Sequence, residues 1–431
     1  MSVGQLMFDV AIVGGGITGS ALFYMLGKYS DVKKVILFEK NVIGSVNSHE
    51  RNNSQTLHFG DIETNFSYEK AVKLRDAAEM VVAYLQNHDG LSRKTKKMVI
   101  GVGDDEIRML KHRYNHFKKI FPQLKKLSKD EIALIEPAVV EGRRENIIAL
   151  CSDDGYAVNF RKLAQSFIDE STSARMVVSL TSVVRHIKKT DEGYLLDNTA
   201  ARSVVVSAGA HTLSFAHQLG YALDYILFPV AGGYYGARQV LRNKIYTLQD
   251  EHFPFAALHG DPDVDDGSFT RFGPTAKPIP LLERHVYASL KPFLGISLSR
   301  KAVFSMFSFF RHKRLITFLL KNISFSIPFF GKYLFARNAR KIVPLLKTTQ
   351  LIPLRDGGIR PQVFDTEKKQ LLMGDVKVYG EHVIFNVTPS PAASVCLKNA
   401  LDDMRRLAAQ LGFHVDEEKI KIDFGGLSAD E

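Results

Sequence analysis

The stretch that decides the fold is FDVAIVGGGITG, residues 8–19. Residues 8–13 form a short apolar run that predicts a strand, and apolar side chains recur at helical spacing after the glycines. Gly14, Gly16 and Gly19 therefore form a GxGxxG fingerprint between a strand and a helix. Glycines in this context permit a tight turn and a close approach of the backbone to a pyrophosphate. The stretch predicts the start of a dinucleotide-binding βαβ unit.

A second apolar run, residues 35–38, ends in Glu39, twenty residues after Gly19. In such a unit a carboxylate at the end of the second strand accepts hydrogen bonds from ribose hydroxyls, and the phosphates lie at the amino end of the helix. We therefore predict that the dinucleotide is bound by Glu39 and by four glycines, Gly14, Gly15, Gly16 and Gly19. A glycine-rich turn without a ligand is the alternative, and the fingerprint by itself does not separate FAD from NAD.

The composition excludes several classes of protein. The chain has 431 residues, of which 45% are hydrophobic and 24% are charged, which is typical of a globular protein and excludes a disordered one. Cys151 and Cys396 are far apart and in no metal-ligand spacing, so a disulfide framework and a zinc ribbon are not expected, and a reducing compartment is the default. Neither a cleavable signal peptide nor a transmembrane helix is predicted.

The net charge of +11 is concentrated in one segment. Residues 284–355 contain 14 Lys and Arg but no Asp or Glu, whereas the rest of the chain carries 43 basic and 46 acidic residues. Within this segment, residues 300–347 interleave phenylalanines with basic residues, and we call them the basic aromatic block. Rings beside cations suit an anionic membrane surface, so we predict membrane docking. A solvated basic face over a buried helix pair is the main alternative, and a nucleic-acid partner is not expected.

The rest of the chain alternates between strand-like and helix-like patterns. Ser128 and Glu131 have capping-box spacing, and Pro137 is expected to end the helical stretch in which they lie. The predicted helices cover residues 68–85, 105–140 and 391–411. The further predicted strands cover residues 97–102, 183–187, 193–196, 203–206, 357–361, 371–373 and 382–387.

Motifs beyond the fingerprint point to FAD. The strand ending in VVVSAGA (204–210) and the later GGIRPQ (357–362) resemble the FAD-dependent oxidoreductases of the D-amino-acid-oxidase type. Within that superfamily the chain resembles the malate:quinone oxidoreductase family over most of its length. The segments that carry this resemblance are RNNSQTLHFGDIETN (51–65), SAGAHTLSFAHQLG (207–220), FPVAGGYY (228–235), RFGPTAKPIPLLER (271–284) and TPSPAASVCLKNA (388–400).

The resemblance implies an α/β fold with a Rossmann-type FAD-binding domain and a second, α+β substrate domain. The FAD-binding domain is expected to be discontinuous, over residues 1–85, 150–215 and 350–431, because in this superfamily the chain returns to it at its end. Residues 86–149 and 216–349, including the basic aromatic block, would form the substrate domain.

The resemblance also implies further cofactor-binding residues. They are Asn53, Ser54, Ala208, Gly209, Ser390 and Ala392. Ala392 departs from the family pattern, in which a glycine is expected. FAD is expected to be bound without a covalent link, since Cys396 lies in an apolar helix pattern typical of a buried thiol.

Oxidation of a 2-hydroxy acid by hydride transfer needs a base for the hydroxyl proton and cations for the carboxylates. His58 is the favoured base, with a structural role as its alternative, and His211 is a second candidate that also suits a helix entry or cofactor packing. Arg360 resembles the superfamily arginine that meets a substrate carboxylate, and Arg271 could hold a second carboxylate or brace a loop.

Three further residues, Gln55, Tyr234 and Tyr235, are candidate walls of the substrate pocket. For the two tyrosines, core packing with a satisfied hydroxyl is the alternative.

The resemblance implies FAD-dependent oxidation of (S)-malate to oxaloacetate, a step of the tricarboxylic acid cycle, with electrons passed to a membrane quinone. The enzyme would lie in the cytoplasm, attached peripherally to the inner face of the cell membrane. The alternatives are oxidation of another 2-hydroxy acid, glycerol 3-phosphate or an amino acid, and a non-catalytic protein that binds flavin or membranes.

Overall fold

The computed structural model describes residues 7–249, 257–298, 300–309, 313–372, 374–389 and 391–425; at residues 300 and 306–309 it describes the backbone. The described strands are β1 (Met7–Val13), β2 (Val35–Phe38), β3 (Ser92–Val102), β4 (Lys125–Leu127), β5 (Ile147–Val158), β6 (Met176–Ser179), β7 (Ile187–Thr190), β8 (Gly193–Leu196), β9 (Thr199–Val206), β10 (Tyr225–Ala231), β11 (Tyr235–Arg238), β12 (Lys244–Thr247), β13 (His259–Pro262), β14 (Phe269–Gly273), β15 (Lys277–Pro278), β16 (Ile352–Pro353), β17 (Ile359–Asp365), β18 (Gln370–Leu371), β19 (Val376–Gly380) and β20 (Val383–Val387).

The helices of the same ranges are α1 (Ile17–Tyr29), α2 (Tyr68–Gln86), α3 (Asp104–Phe117), α4 (Lys129–Ile135), α5 (Pro137–Val140), α6 (Phe160–Ser171), α7 (Thr212–Gln218), α8 (Leu290–Ser297), α9 (Arg300–Phe309), α10 (Lys313–Ser324), α11 (Gly331–Ala339), α12 (Cys396–Leu411) and α13 (Glu417–Phe424). Short 3₁₀ turns precede several of them, including Gly209–His211 before α7 and Ala392–Val395 before α12.

The first sheet brings the sequence motifs to one edge. Over the described residues its strand order is β19-β20-β9-β1-β2-β6, with β8 and then β7 attached to β9. β1 lies between β2 and β9 and is parallel to both, with Val10 opposite Val35 and Val13 opposite Val206. Because parallel strands end at the same edge, the glycine turn after β1, Glu39 after β2 and the turn after β9 lie side by side.

The first sheet is covered by helices because side chains alternate along its central strand. Val10 and Ile12 belong to a core cluster with Leu22 of α1 and Leu401 of α12. Ala11 and its neighbours on the opposite face belong to a second cluster, to which α7 contributes. A parallel sheet buried on both faces is the architecture that the fingerprint predicts.

Two further sheets form the second part of the molecule. Among the described strands, one has the order β16-β11-β14-β13-β12-β3-β5-β4 and the other the order β15-β10-β17-β18. Most of β5, together with β16, β17 and β18, falls within residues 150–215 and 350–431, which were expected in the FAD-binding domain, yet these strands pair in the two further sheets. The partners that decide the sheet of a strand are distant in sequence, so the local pattern did not indicate them.

Several predicted elements are confirmed. α2 covers Tyr68–Gln86, and Ser128 and Glu131 form both hydrogen bonds of a capping box at α4. Pro137 does not end the helical stretch as predicted but is the first residue of α5, a position where proline is tolerated. The strand predicted at 183–187 is wrong, since β7 begins only at Ile187.

The basic aromatic block folds as three helices, α9, α10 and α11. Among the described helices, none combines the length and the hydropathy needed to cross a membrane. The two cysteines are buried free thiols. Burial raises the pKa of Cys151 to about 11 and that of Cys396 to about 12, so neither is a ready nucleophile.

Candidate active site

A cavity of about 410 Å³ lies at the carboxyl edge of the first sheet, and we call it the large cavity. Its wall includes Gly14 and Gly16 of the glycine turn, Glu39 after β2 and the turn Ser207–Gly209 after β9. Ligands of open parallel sheets bind outside the carboxyl ends of the strands. The large cavity therefore occupies the place that a dinucleotide needs.

The glycine turn leaves no room for side chains at three of its positions. Gly14 has a φ of +110°, and a Cβ there would lie 2.5 Å from the carbonyl oxygen of Ser207. A Cβ at Gly19 would lie 2.0 Å from the carbonyl oxygen of Gly14, and one at Gly15 would lie 2.6 Å from the Ile43 side chain. Gly15 and Gly19 thus shape the turn, whereas Gly14 and Gly16 face the cavity.

The amino end of α1 fits the phosphates of a dinucleotide, and the carboxylate of Glu39 fits its ribose. No acidic side chain occupies the first turn of α1, and Gly16 provides no side-chain cap. Ser48 Oγ accepts from the N–H of Ile17 at 2.9 Å, and the remaining N–H groups of this turn leave the helix end open to a phosphate. Glu39 accepts hydrogen bonds from the backbone N–H groups of Gly15 and Asn41, both at 2.8 Å. Each carboxylate oxygen keeps a second acceptor site, which suits ribose hydroxyls.

Most of the other predicted cofactor residues also lie on this cavity. Asn53, Ser54, Ala208, Gly209 and Ala392 line it. The 3₁₀ turn that begins at Ala392 leads into α12, so the last long helix points its amino end at the cavity.

Ser390 lies outside the described residues.

The loop after β2 is hydrogen-bonded to the strand that carries Arg360. Asn47 donates from Nδ2 to the carbonyl of Ile359 at 2.9 Å, and its Oδ1 accepts from the N–H of the same residue at 3.1 Å. Asn52 accepts from the N–H of Gly357 through Oδ1 at 3.1 Å. These bonds hold the start of β17 against the FAD side of the molecule.

A second, smaller cavity of about 70 Å³ adjoins the large one, and we call it the small cavity. Ser54, His58, Arg360 and Pro391 line both cavities. A group bound in the small cavity would therefore meet a cofactor in the large cavity at His58 and Arg360. This junction is the candidate site of chemistry.

His58 forms a dyad with Glu63, a residue that the sequence analysis missed. Nδ1 of His58 lies 2.6 Å from Oε1 of Glu63, whose Oε2 accepts from the N–H of Gly60 at 2.8 Å. Burial would raise the pKa of Glu63, but the hydrogen bond and charge of His58, helped by Lys97, lower it to about 2. An ionised Glu63 orients the ring so that Nε2 can accept a proton.

Arg360 is a partly buried cation with no protein partner among the described residues. Within the described ranges its guanidinium forms neither a hydrogen bond nor an ion pair, although burial lowers its pKa from the ordinary value. Removing a charged side chain from water without an ion-pair partner costs free energy, so the guanidinium of Arg360 is stabilised when an anion binds beside it. A carboxylate at the junction of the two cavities would provide it.

His211 lies elsewhere along the large cavity. Its Nε2 is 3.7 Å from Oε2 of Glu283, which also pairs with Lys40. His211 and Lys40 lower the pKa of Glu283 to about 2. Since Lys40 follows Glu39, this ion-pair group lies near the predicted ribose end rather than at the junction. The placement favours the cofactor-packing role of His211 over catalysis.

Comparison with known proteins assigns the chain to a family. A family model described as FAD dependent oxidoreductase matches residues 9–303. A probable malate:quinone oxidoreductase of Campylobacter jejuni is 39% identical over 97% of this chain and 99% of its own length. The malate:quinone oxidoreductase of Helicobacter pylori strain J99 is 38% identical over 97% of this chain and 98% of its own length. The chain belongs to the malate:quinone oxidoreductase family. The predicted resemblance is thereby confirmed.

Solved structures support the same fold. The L-alpha-glycerophosphate oxidase of Mycoplasma pneumoniae with FAD bound has a TM-score of 0.68 at 17% identity, covering 95% of this chain and 96% of its own. The glycine oxidase of Geobacillus kaustophilus has a TM-score of 0.64 at 18% identity, covering 94% and 95%. The α/β prediction, with a Rossmann-type FAD-binding domain and a second domain, is confirmed. FAD is the cofactor of this family, and the glycine turn, the open helix end and Glu39 fit it.

In this malate:quinone oxidoreductase family member, Arg271 does not reach either cavity. It donates to the carbonyls of Glu50 and Arg51 at 3.0 and 2.9 Å, and its guanidinium lies 4.3 Å from the centroid of the Tyr234 ring. Its two Nη groups are therefore committed to the loop, away from the cavities in which a second carboxylate would bind. The loop-bracing alternative agrees with this placement.

The three residues predicted to line the substrate pocket lie in different places in the structure. Gln55 is fully buried and lines neither cavity, because its side chain binds the carbonyl of Glu50, the carboxylate of Asp263 and the N–H of Val264. Tyr234 lines the large cavity. Tyr235 donates from its hydroxyl to a backbone carbonyl at 2.7 Å and packs in a core cluster, a placement that agrees with the core-packing alternative.

A buried polar group behind the small cavity was also missed. His259 lines that cavity, and its Nδ1 lies 2.8 Å from Oδ2 of Asp261. Burial lowers the pKa of His259, which favours its neutral ring. Lys244, itself fully buried, lies 3.6 Å from the same carboxylate. The spacing of His259 and Asp261, on one face of a strand, was the signal that could have indicated the pair.

Proposed function

We propose that the chain oxidises (S)-malate to oxaloacetate and passes the electrons to a membrane quinone. The names of its relatives support this reaction. The observation that carries it is that Arg360, which has no partner among the described residues, lines the same cavity as the His58–Glu63 dyad. Arg360 binds the carboxylate next to the hydroxyl-bearing carbon, and His58 accepts the hydroxyl proton at Nε2. FAD supplies the hydride acceptor. Glu63 holds the ring and stabilises its protonated form.

The first test is reduction of the bound flavin. Purified flavoprotein is mixed with (S)-malate without oxygen, and the oxidised flavin band is expected to bleach and to return when a soluble quinone is added. The (R) enantiomer is the matched control and should bleach it far more slowly. Bleaching by glycerol 3-phosphate or an amino acid, but not by (S)-malate, would contradict the proposed substrate.

We propose that FAD is bound without a covalent link. Cys396 is fully buried at the start of α12, where its sulfur belongs to a core cluster. Acid precipitation should therefore release all flavin into the supernatant.

The basic aromatic block is proposed to dock on an anionic membrane at the cytoplasmic face. α10 packs Leu315 and Leu319 inward, yet the next stripe at helical spacing, Ile316, Leu320 and Ile323, is exposed. Phenylalanines add to this apolar surface, with Phe304 79% and Phe329 88% exposed. Uncovered apolar side chains beside exposed cations match the headgroup boundary of an anionic bilayer.

Removing charge from α10 should weaken membrane binding. The variant has Lys313→Gln, Arg314→Gln and Lys321→Gln, each in an exposed position. Since each cation adds about 1 kcal/mol, partitioning onto vesicles with anionic lipid should fall by roughly 100-fold. Vesicle co-sedimentation at low salt measures it.

The matched control removes three exposed lysines outside the block, Lys33→Gln, Lys111→Gln and Lys188→Gln. It has the same net charge and should bind vesicles like the unaltered protein. Equal losses in both variants would indicate a diffuse charge effect. Binding to duplex DNA but not to vesicles would favour the nucleic-acid alternative.

A further inference from the structure

The small cavity is electropositive in the described part of the chain. Lys70 and Arg360 both line it, and neither forms an ion pair there. The acid in its described wall is Glu63, which is already bound to His58 and to the N–H of Gly60. Lys70 and Arg360 therefore face a cavity in which the carboxylate of Glu63 is already bound to other protein groups.

Lys70 is held in place by its local structure. It lies in the first turn of α2, where its N–H donates to the capping Oγ of Ser67 at 3.2 Å. Its Nζ lies 4.3 Å from the centroid of the Phe66 ring, which also lines the cavity. Burial lowers the pKa of Lys70, whereas Asp375, which accepts from Asn399 at 2.8 Å, raises it more weakly. Lys70 is thus a partly desolvated cation on a rigid helix.

The size of the small cavity limits its ligand. At about 30 Å³ for each water, 70 Å³ holds roughly two waters, so the small cavity takes only part of a small organic acid, and the rest extends toward the large cavity past the residues that line both. Polar groups such as Gln362 and Thr64 complete its wall and can bind hydroxyl or carboxylate oxygens.

Resting on the proposed oxidation at His58, we propose that Lys70 binds the second carboxylate of a short dicarboxylate whose first carboxylate is bound by Arg360. Lys70 then fulfils the role that the sequence analysis assigned to Arg271. A monocarboxylic 2-hydroxy acid would leave Lys70 uncompensated, so Lys70 is a specificity-determining residue for dicarboxylates.

The test is Lys70→Met in the full-length holoenzyme. KM for (S)-malate should rise about 10- to 100-fold with little change in kcat, because an uncharged side chain loses a charge-assisted hydrogen bond. For the monocarboxylate (S)-2-hydroxybutyrate, kcat/KM should change less than about threefold on the same scale. Lys70→Arg keeps the charge and should restore most of the affinity for malate.

The matched control is Lys73→Met, which removes an exposed lysine from the same helix without touching the cavity. Flavin content and thermal midpoint are compared in all variants, and Lys70→Gln provides a second neutral side chain if Lys70→Met is unstable. Equal KM values for malate in the Lys70→Met and Lys73→Met variants would overturn the inference.

A binding measurement separates this inference from the proposed function. Succinate, which has no hydroxyl to oxidise, is titrated while the flavin spectrum is recorded, with butyrate as the monocarboxylate. Tight binding of succinate that Lys70→Met weakens at least about tenfold supports the dicarboxylate site even if malate fails to reduce the flavin. Reduction by malate together with succinate binding that does not depend on Lys70 overturns the inference and leaves the proposed function standing.

Discussion

Replacing His58 with glutamine is expected to lower kcat for (S)-malate by about 10²- to 10⁴-fold, the usual contribution of a positioned general base. Glutamine retains a polar side chain of similar size but cannot accept the hydroxyl proton. FAD binding should survive, because His58 lies at the junction of the cavities and not at the glycine turn. The rate of anaerobic flavin reduction by (S)-malate, measured in stopped flow, checks the prediction.

Glu63→Gln is the companion variant, since Glu63 acts through His58. A loss of about 10- to 100-fold in kcat for (S)-malate is expected, because a neutral amide no longer orients the ring for proton transfer. Glu283→Gln is the control, as Glu283 lies beside the other candidate, His211. If Glu283→Gln lowered kcat by this factor and Glu63→Gln did not, the base would be His211.

Gly14→Ala is expected to remove FAD from the purified protein. A methyl group would lie 2.5 Å from the carbonyl oxygen of Ser207, and the backbone at φ +110° disfavours any side chain. Strain of about 1–3 kcal/mol corresponds to as much as roughly 100-fold weaker binding, and the thermal midpoint should fall as well. Flavin absorbance per protein and FAD titration of the apoprotein measure the effect.

Gly16→Ala is the matched control for the same turn. Its φ is −74°, and an added Cβ would have Ser48 Oγ as its nearest neighbour at 3.5 Å, so the thermal midpoint of the apoprotein should stay unchanged. The methyl group would still enter the large cavity and weaken FAD binding. A Gly14→Ala protein that retained its full flavin content would contradict the role assigned to the turn.

The parts predicted correctly are those that depend on neighbouring residues. The glycine turn, Glu39 at the end of β2 and the capping box at Ser128 follow from spacing within a few residues or one βαβ unit. The catalytic roles of Arg360 and His58 were predicted because their segments resemble those of a family, and the structure brings the two residues to the same junction.

The errors concern residues whose role depends on distant partners. Arg271 and Gln55 are polar residues in family-like segments, yet the side chain of each donates a hydrogen bond to a backbone carbonyl of the loop after β2. Glu63 and Lys70 were overlooked although they follow His58 closely, because the sequence does not indicate which side chains of an irregular loop and the next helix turn toward a cavity. Such assignments depend on tertiary packing rather than on a local pattern.

The hydrogen bonds that join Asn47 to residue 359 and Asn52 to residue 357 also bear on when the candidate active site can form during synthesis of the protein. The first sheet needs β20 beside β9, and the junction needs Arg360, so both await the last fifth of the chain. Contacts of such sequence separation form slowly because a long loop must close first. A nascent chain therefore exposes an incomplete cofactor site, and FAD can be captured only after nearly the whole polypeptide has left the ribosome.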